Sequence, residues 1–103
     1  MLVYKILRAA EWAAFERDGH FAGSADDLRD GYIHMSTGAQ TAGTMAKYFA
    51  REAVTVLTIE TDTLGEALRW EESRGGMLFP HLYRPLDRGD VIAVSDAPPP
   101  PPA

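Results

Sequence analysis

The stretch Asp30-Gly31-Tyr32-Ile33-His34-Met35-Ser36-Thr37 places a phenol, an imidazole and a hydroxyl at every second position. In an extended chain that spacing puts Tyr32, His34 and Ser36 on one face and Ile33 and Met35 on the other. The apolar pair suits a core, which leaves a row of hydrogen-bonding groups for a ligand or for internal partners. Asp30-Gly31 is turn chemistry, and Ser36 or Thr37 can cap a following helix. A helix start beside His34 would attract phosphate or carboxylate through its unpaired N–H groups.

Two further stretches carry chemistry. In Trp70-Glu71-Glu72, with Trp70 packed in the core, Glu71 points to the opposite face. A carboxylate there can accept from a sugar hydroxyl, stabilise a developing cation or act as a base. In Phe79-Pro80-His81-Leu82-Tyr83, alternation puts Phe79, His81 and Tyr83 on one side, a surface for stacking and hydrogen bonding. Each stretch also has a purely structural interpretation: a histidine donating to a backbone carbonyl, a solvated acidic edge, a core aromatic pair. His20 lies in a polar loop with no partner in view. His34, His81 and Glu71 together would suit several metals, although no close-spaced ligand pair supports that arrangement.

These groups need elements to carry them. Leu2 to Leu7 reads as a strand, and Ala9 to Arg17 as a helix with Ala9, Trp12 and Phe15 on its apolar stripe, stopped at Asp18-Gly19. Residues 20–30 are polar and irregular, except for one helical turn around Asp26 to Arg29 opened by a Ser24–Asp27 capping box. After the central strand, a helix runs from about Ala39 to Arg51 with Ala42, Met45 and Phe49 inward, while Gln40, Thr41, Thr44 and Tyr48 lie on neighbouring faces. Val54 to Glu60 is a β-branched inner strand and Leu68 to Glu72 a short one. Pro80 assigns its segment to a sheet edge or to an irregular extended stretch, because it cannot donate to a ladder. Asp90 to Val94 closes the sheet, and a proline run follows. The order predicts a single α+β domain over residues 1–96 with a curved, mainly antiparallel sheet and two main helices, and a disordered tail over 97–103.

The bulk composition narrows the partners. With 103 residues, 46% of them hydrophobic and 24% charged, the chain holds one core. Ten Lys and Arg against 15 Asp and Glu give a net charge of −5 with no basic cluster, which argues against a nucleic-acid backbone as partner. No cysteine is present, so thiol chemistry and disulfides are excluded. Neither a signal peptide nor an apolar run of the ~18 residues a membrane span needs is visible, and the expected location is cytoplasmic, away from membranes.

The motifs D-G-Y-I-H-M-S-T, the helix from Gln40-Thr41 to Tyr48-Phe49, L-R-W-E and F-P-H-L-Y-R-P-L occur in this order. Together they resemble the domain-of-unknown-function 952 family, small bacterial proteins, over residues 3 to 94. One departure is Arg84, where that pattern often carries Gly at the pocket rim. The family is in turn similar, remotely, to the ADP-ribosyltransferase fold, including the branch that removes a 2′-phosphate from RNA. That resemblance implies NAD or a related nucleotide as ligand, contacted by Tyr32, His34, Ser36, Thr37, Thr44 and Tyr83. It further implies catalytic roles for Glu71, His34 and His81, with Glu71 favouring the positive charge of an oxocarbenium-like state. Two alternatives stand beside it: a metal-binding protein using His34, Glu71 and His81, and a non-enzymatic interaction module in which the polar motifs are structural.

Overall fold

A computed structural model describes residues 1–99, so residues 100–103 of the expected proline tail lie outside the described residues. The chain opens with strand β1 (Leu2–Arg8), followed directly by helix α1 (Ala9–Asp18). Glu11 in its first turn accepts the Arg8 backbone N–H at 2.8 Å, and Gly19 ends it in the left-handed conformation. A two-residue strand β2 (His20–Phe21) and a six-residue helix α2 (Ala25–Asp30) come next. The sequence 20–30 is thus more ordered than its polarity implies, and Ser24 caps α2 as expected.

Two short strands, β3 (Ile33–His34) and β4 (Ser36–Thr37), are halves of one bent stretch parted at Met35. Then follow helix α3 (Thr41–Tyr48) and strands β5 (Val54–Glu60), β6 (Leu68–Glu72), β7 (Leu78–Leu82), β8 (Leu86–Asp87) and β9 (Val91–Ser95). All pairings are antiparallel and form sheets in the orders β4-β1-β5-β9, β3-β7-β6 and β2-β8. This is the α+β architecture expected, with the sheet divided at the bend. The stretch 33–37 gives its first half to the three-stranded sheet and its second half to the four-stranded one, so it joins them.

Alternation along the strands sets two cores. Val3 and Leu7 of β1 meet Leu57 and Ile59 of β5, and the same cluster takes in Ile33, Met35, Leu82, Phe15 and Phe21 from the other elements. On the reverse face Ile6 and Val56 pack with Phe49 and Val54. Fully burying each of these large side chains contributes about 1.5–3 kcal/mol.

Five local expectations need correction. Ser36 and Thr37 do not cap a helix, because they pair with Tyr4 and Val3 of β1. The helix begins at Thr41, four residues after Thr37, and ends at Tyr48. Its inward face carries Thr41, Met45 and Phe49, with Ala42 exposed. Gln40 fixes its start, accepting the Thr37 N–H at 3.0 Å and donating to the Leu78 carbonyl at 2.8 Å. Pro80 lies in β7, the central strand of its sheet, not at an edge. Its carbonyl accepts the Met35 N–H at 3.0 Å, so the missing donor faces Met35, and only the reciprocal bond to the Met35 carbonyl is forfeited, at the bend between β3 and β4 where that ladder ends. Trp70 is 38% exposed at the sheet rim and not in the core.

Candidate functional site

The site is assembled around a buried carboxylate. Asp27, third residue of α2, is 2% exposed. Its Oδ2 accepts the Ser24 N–H at 2.9 Å, completing the capping box, and lies 2.9 Å from Lys5 Nζ. Its Oδ1 accepts the His34 backbone N–H at 3.0 Å and faces His34 Nδ1 at 2.6 Å. Burial alone would push this carboxyl up. The hydrogen bond from His34 and the charge of Lys5 outweigh burial and hold it well below the usual carboxylate range. Lys5 is equally enclosed, and it also donates to the His34 carbonyl at 2.9 Å.

His34 is therefore gripped at its backbone and its ring. Its second nitrogen, Nε2, is 2.9 Å from Asp30 Oδ2. Both ring nitrogens thus face carboxylate oxygens. The ring keeps about a third of its surface open, since its side chain is 34% exposed. Asp30 is held low first by the Arg29 hydrogen bond, with His34 adding to it.

β3 and β7 bring the second histidine alongside, with His34 directly opposite His81 in register. The two rings are 5.6 Å apart, edge to face. Tyr32 lies almost parallel to His81 with centroids 4.0 Å apart, and closes against Tyr83 at 5.3 Å. Glu71, reaching over from β6, accepts from Tyr83 Oη at 2.6 Å and lies 2.9 Å from His81 Nδ1 with the same oxygen. The Tyr83 bond, then the His81 bond, pulls the Glu71 carboxyl down, and Glu71 pushes the Tyr83 phenol up. Tyr32 is also raised, by burial first and then by Asp30.

A cleft of about 230 Å³ opens over these groups. Tyr32, His34, Ser36, Thr44 and His81 line it, whereas Thr37, Glu71 and Tyr83 do not. Glu71 and Tyr83 reach the cleft only through His81 and Tyr32. Within it Ser36 Oγ and Thr44 Oγ1 are 2.9 Å apart, and Arg74 Nη2 donates to Thr44 Oγ1 at 3.3 Å. Thr37 instead belongs to the β1–β4 pair.

Asp27 is more than the helix cap its sequence position implies, and Lys5, Asp30 and Arg74 join the site although no motif marks them as site residues. Lys5 left a signal. It stands between Val3 and Leu7 on the inward row of β1, and a lysine in such a row requires a buried carboxylate partner. Arg84 is turned away from the cleft, held by Asp90 through bonds of 2.9 and 3.2 Å. Among the described residues, no three His, Asp or Glu side chains converge as a metal site. The nitrogens of His34 are taken by Asp27 and Asp30, and Nδ1 of His81 by Glu71.

Fold and site together define a small antiparallel α+β protein with a polar, aromatic-walled cleft at the junction of two sheets. The chain belongs to the family described as protein of unknown function, DUF952, which it matches over residues 6–94. It is 52% identical to Caulobacter crescentus protein CC0527, whose crystal structure it matches with a TM-score of 0.90 over 93% of this chain and 85% of that one. The solution NMR structure of the same protein matches with a TM-score of 0.83, at 52% identity over 92% and 83% of the two chains. Among curated proteins none matches. No helix of the described residues is long and apolar enough to cross a membrane.

Proposed function

We propose that the cleft binds a small ligand that combines a flat ring with an anionic group, NAD or a related nucleotide, in the manner of an ADP-ribosyltransferase-like pocket. One observation carries this reading. The Tyr32–His34–His81 aromatic group, the Ser36–Thr44 hydroxyl pair and the Arg74 guanidinium converge on one cleft from both sheets. Such a set offers stacking to a base, hydrogen bonds to a ribose and positive charge to a phosphate. Titration of labelled protein with NAD, ADP-ribose and 2′-phosphorylated nucleotides should move the amide signals of His34, Ser36 and His81. Signals that stay fixed with all three at millimolar concentration would end the nucleotide reading.

A catalytic version assigns Glu71, His34 and His81 to the breaking of a glycosidic bond. Here Glu71 works as a positioning group, because its one bonded oxygen is shared by His81 and Tyr83. His34, braced by Asp27 and Asp30, orients the ribose. Nicotinamide release from NAD should then fall in Glu71→Ala, and release that persists at the original rate removes Glu71 from the mechanism.

A further inference from the structure

Among the described residues, the cations lining the cleft are paired with carboxylates except at one point. Lys5 is matched by Asp27, Arg8 by Glu52, and Arg29 by Asp26 and Asp30. Arg74 lines the same cleft, yet among the described residues it has no carboxylate at ion-pair distance. A half-buried guanidinium without a counter-charge, in a chain of net charge −5, calls for an anion from outside.

The surroundings of Arg74 are built to hold it. It leads a tight turn in which Gly75 and Gly76 have φ of 70° and 74°, conformations that glycine adopts freely. The Gly76 N–H closes the turn on the Ser73 carbonyl at 3.0 Å. The guanidinium carbon stands 5.0 Å from the Phe79 ring centroid and 5.9 Å from that of Tyr48. Helix α3 is bare where the guanidinium approaches, since a Cβ at Gly43 would meet Arg74 Nη2 at 3.4 Å. Of its five N–H donors the only side-chain bond among the described residues is the one to Thr44.

The geometry points to a phosphate subsite formed by Arg74, Thr44 and Ser36, which takes a phosphate monoester or pyrophosphate group. Arg74 supplies the planar fork that matches two phosphate oxygens, and the Ser36 and Thr44 hydroxyls flank it. These are bonded to each other, with Thr44 also donating to the Gln40 carbonyl at 3.2 Å, so a phosphate oxygen beside them accepts a hydrogen bond by rotation of the Ser36 hydroxyl. The remainder of the ligand then lies towards His34 and Tyr32. This deepens the nucleotide reading by fixing which end of the cleft takes the phosphate, and it rests on that reading only for what the phosphate is attached to.

Inorganic pyrophosphate is the direct probe. It should move the Arg74 Nε–Hε signal and the Ser36 and Thr44 amides saturably. Arg74→Gln should weaken that binding roughly tenfold to hundredfold, the range for losing charged hydrogen bonds. Arg74→Lys, which keeps the charge without the fork, should fall between, and it carries the comparison if the Gln variant does not fold. No response in the natural chain, or equal affinity in both variants, overturns the subsite. Nucleosides lacking phosphate separate the two readings. If pyrophosphate acts at Arg74 while neither nucleosides nor nucleotides move His34 or His81, the subsite stands and the nucleotide reading falls. Nucleotide binding that survives Arg74→Gln at full strength keeps the nucleotide reading and overturns the subsite.

Discussion

Four donor groups converge on Asp27: the Lys5 ammonium, the Ser24 N–H, and the backbone and ring N–H of His34. The carboxylate thus completes a helix cap, neutralises a buried lysine and orients the half-buried imidazole at once. Removing it in Asp27→Ala would leave Lys5 charged and enclosed, a loss of about 3–5 kcal/mol for a broken buried pair. Asp27→Asn keeps the shape but not the charge, and it isolates the pH dependence. The folded-state carboxyl lies below its unfolded value, so its contribution is fully present above that unfolded value of about 4 and is lost as pH falls through the folded one. Denaturant midpoints of the natural chain should therefore fall more steeply than those of Asp27→Asn as pH drops below about 4, and the two should converge. Parallel acid losses in both proteins would show that Asp27 is not the group responsible.

At the scale of elements, what the sequence disclosed depended on whether a pattern was local. Val54–Glu60 was legible to the residue, because a β-branched run between polar turns has one good interpretation. The alternation of Tyr32, His34 and Ser36 was legible too, and all three face the cleft. The start of α3 was not, because Ser36 and Thr37 are good caps locally and only the distant β1 claims them as a strand. Pro80 misled for a similar reason. The rule against proline in a central strand assumes a complete ladder on both sides, and here the neighbour breaks at Met35. The site divides the same way. His34, His81 and Glu71 stood out as chemistry on predicted strands, and register brings them together. Asp27 and Arg74 did not stand out, because one reads as a cap and the other as a loop charge until tertiary contacts give them partners.

Across the whole molecule, the cleft exists only while both sheets hold their relation, and the bent stretch 33–37 is what relates them. Ile33 is nearly fully buried there, one residue from His34, in the cluster that also holds Leu57 of the larger sheet and Leu82 of the smaller. If the cluster is one cooperative unit, neither sheet opens without the other and the cleft is preformed, so a ligand is spared the cost of ordering it. Ile33→Val tests this gently, because deleting one buried methylene costs about 0.5–1.5 kcal/mol and leaves the chain folded. Native-state hydrogen exchange should then show the slow amides of β5 and β7 losing the same opening free energy. A loss confined to β3, β6 and β7, with β5 unchanged, would mean that the smaller sheet opens alone. The cleft would then be a shape the ligand must stabilise, not one it finds ready.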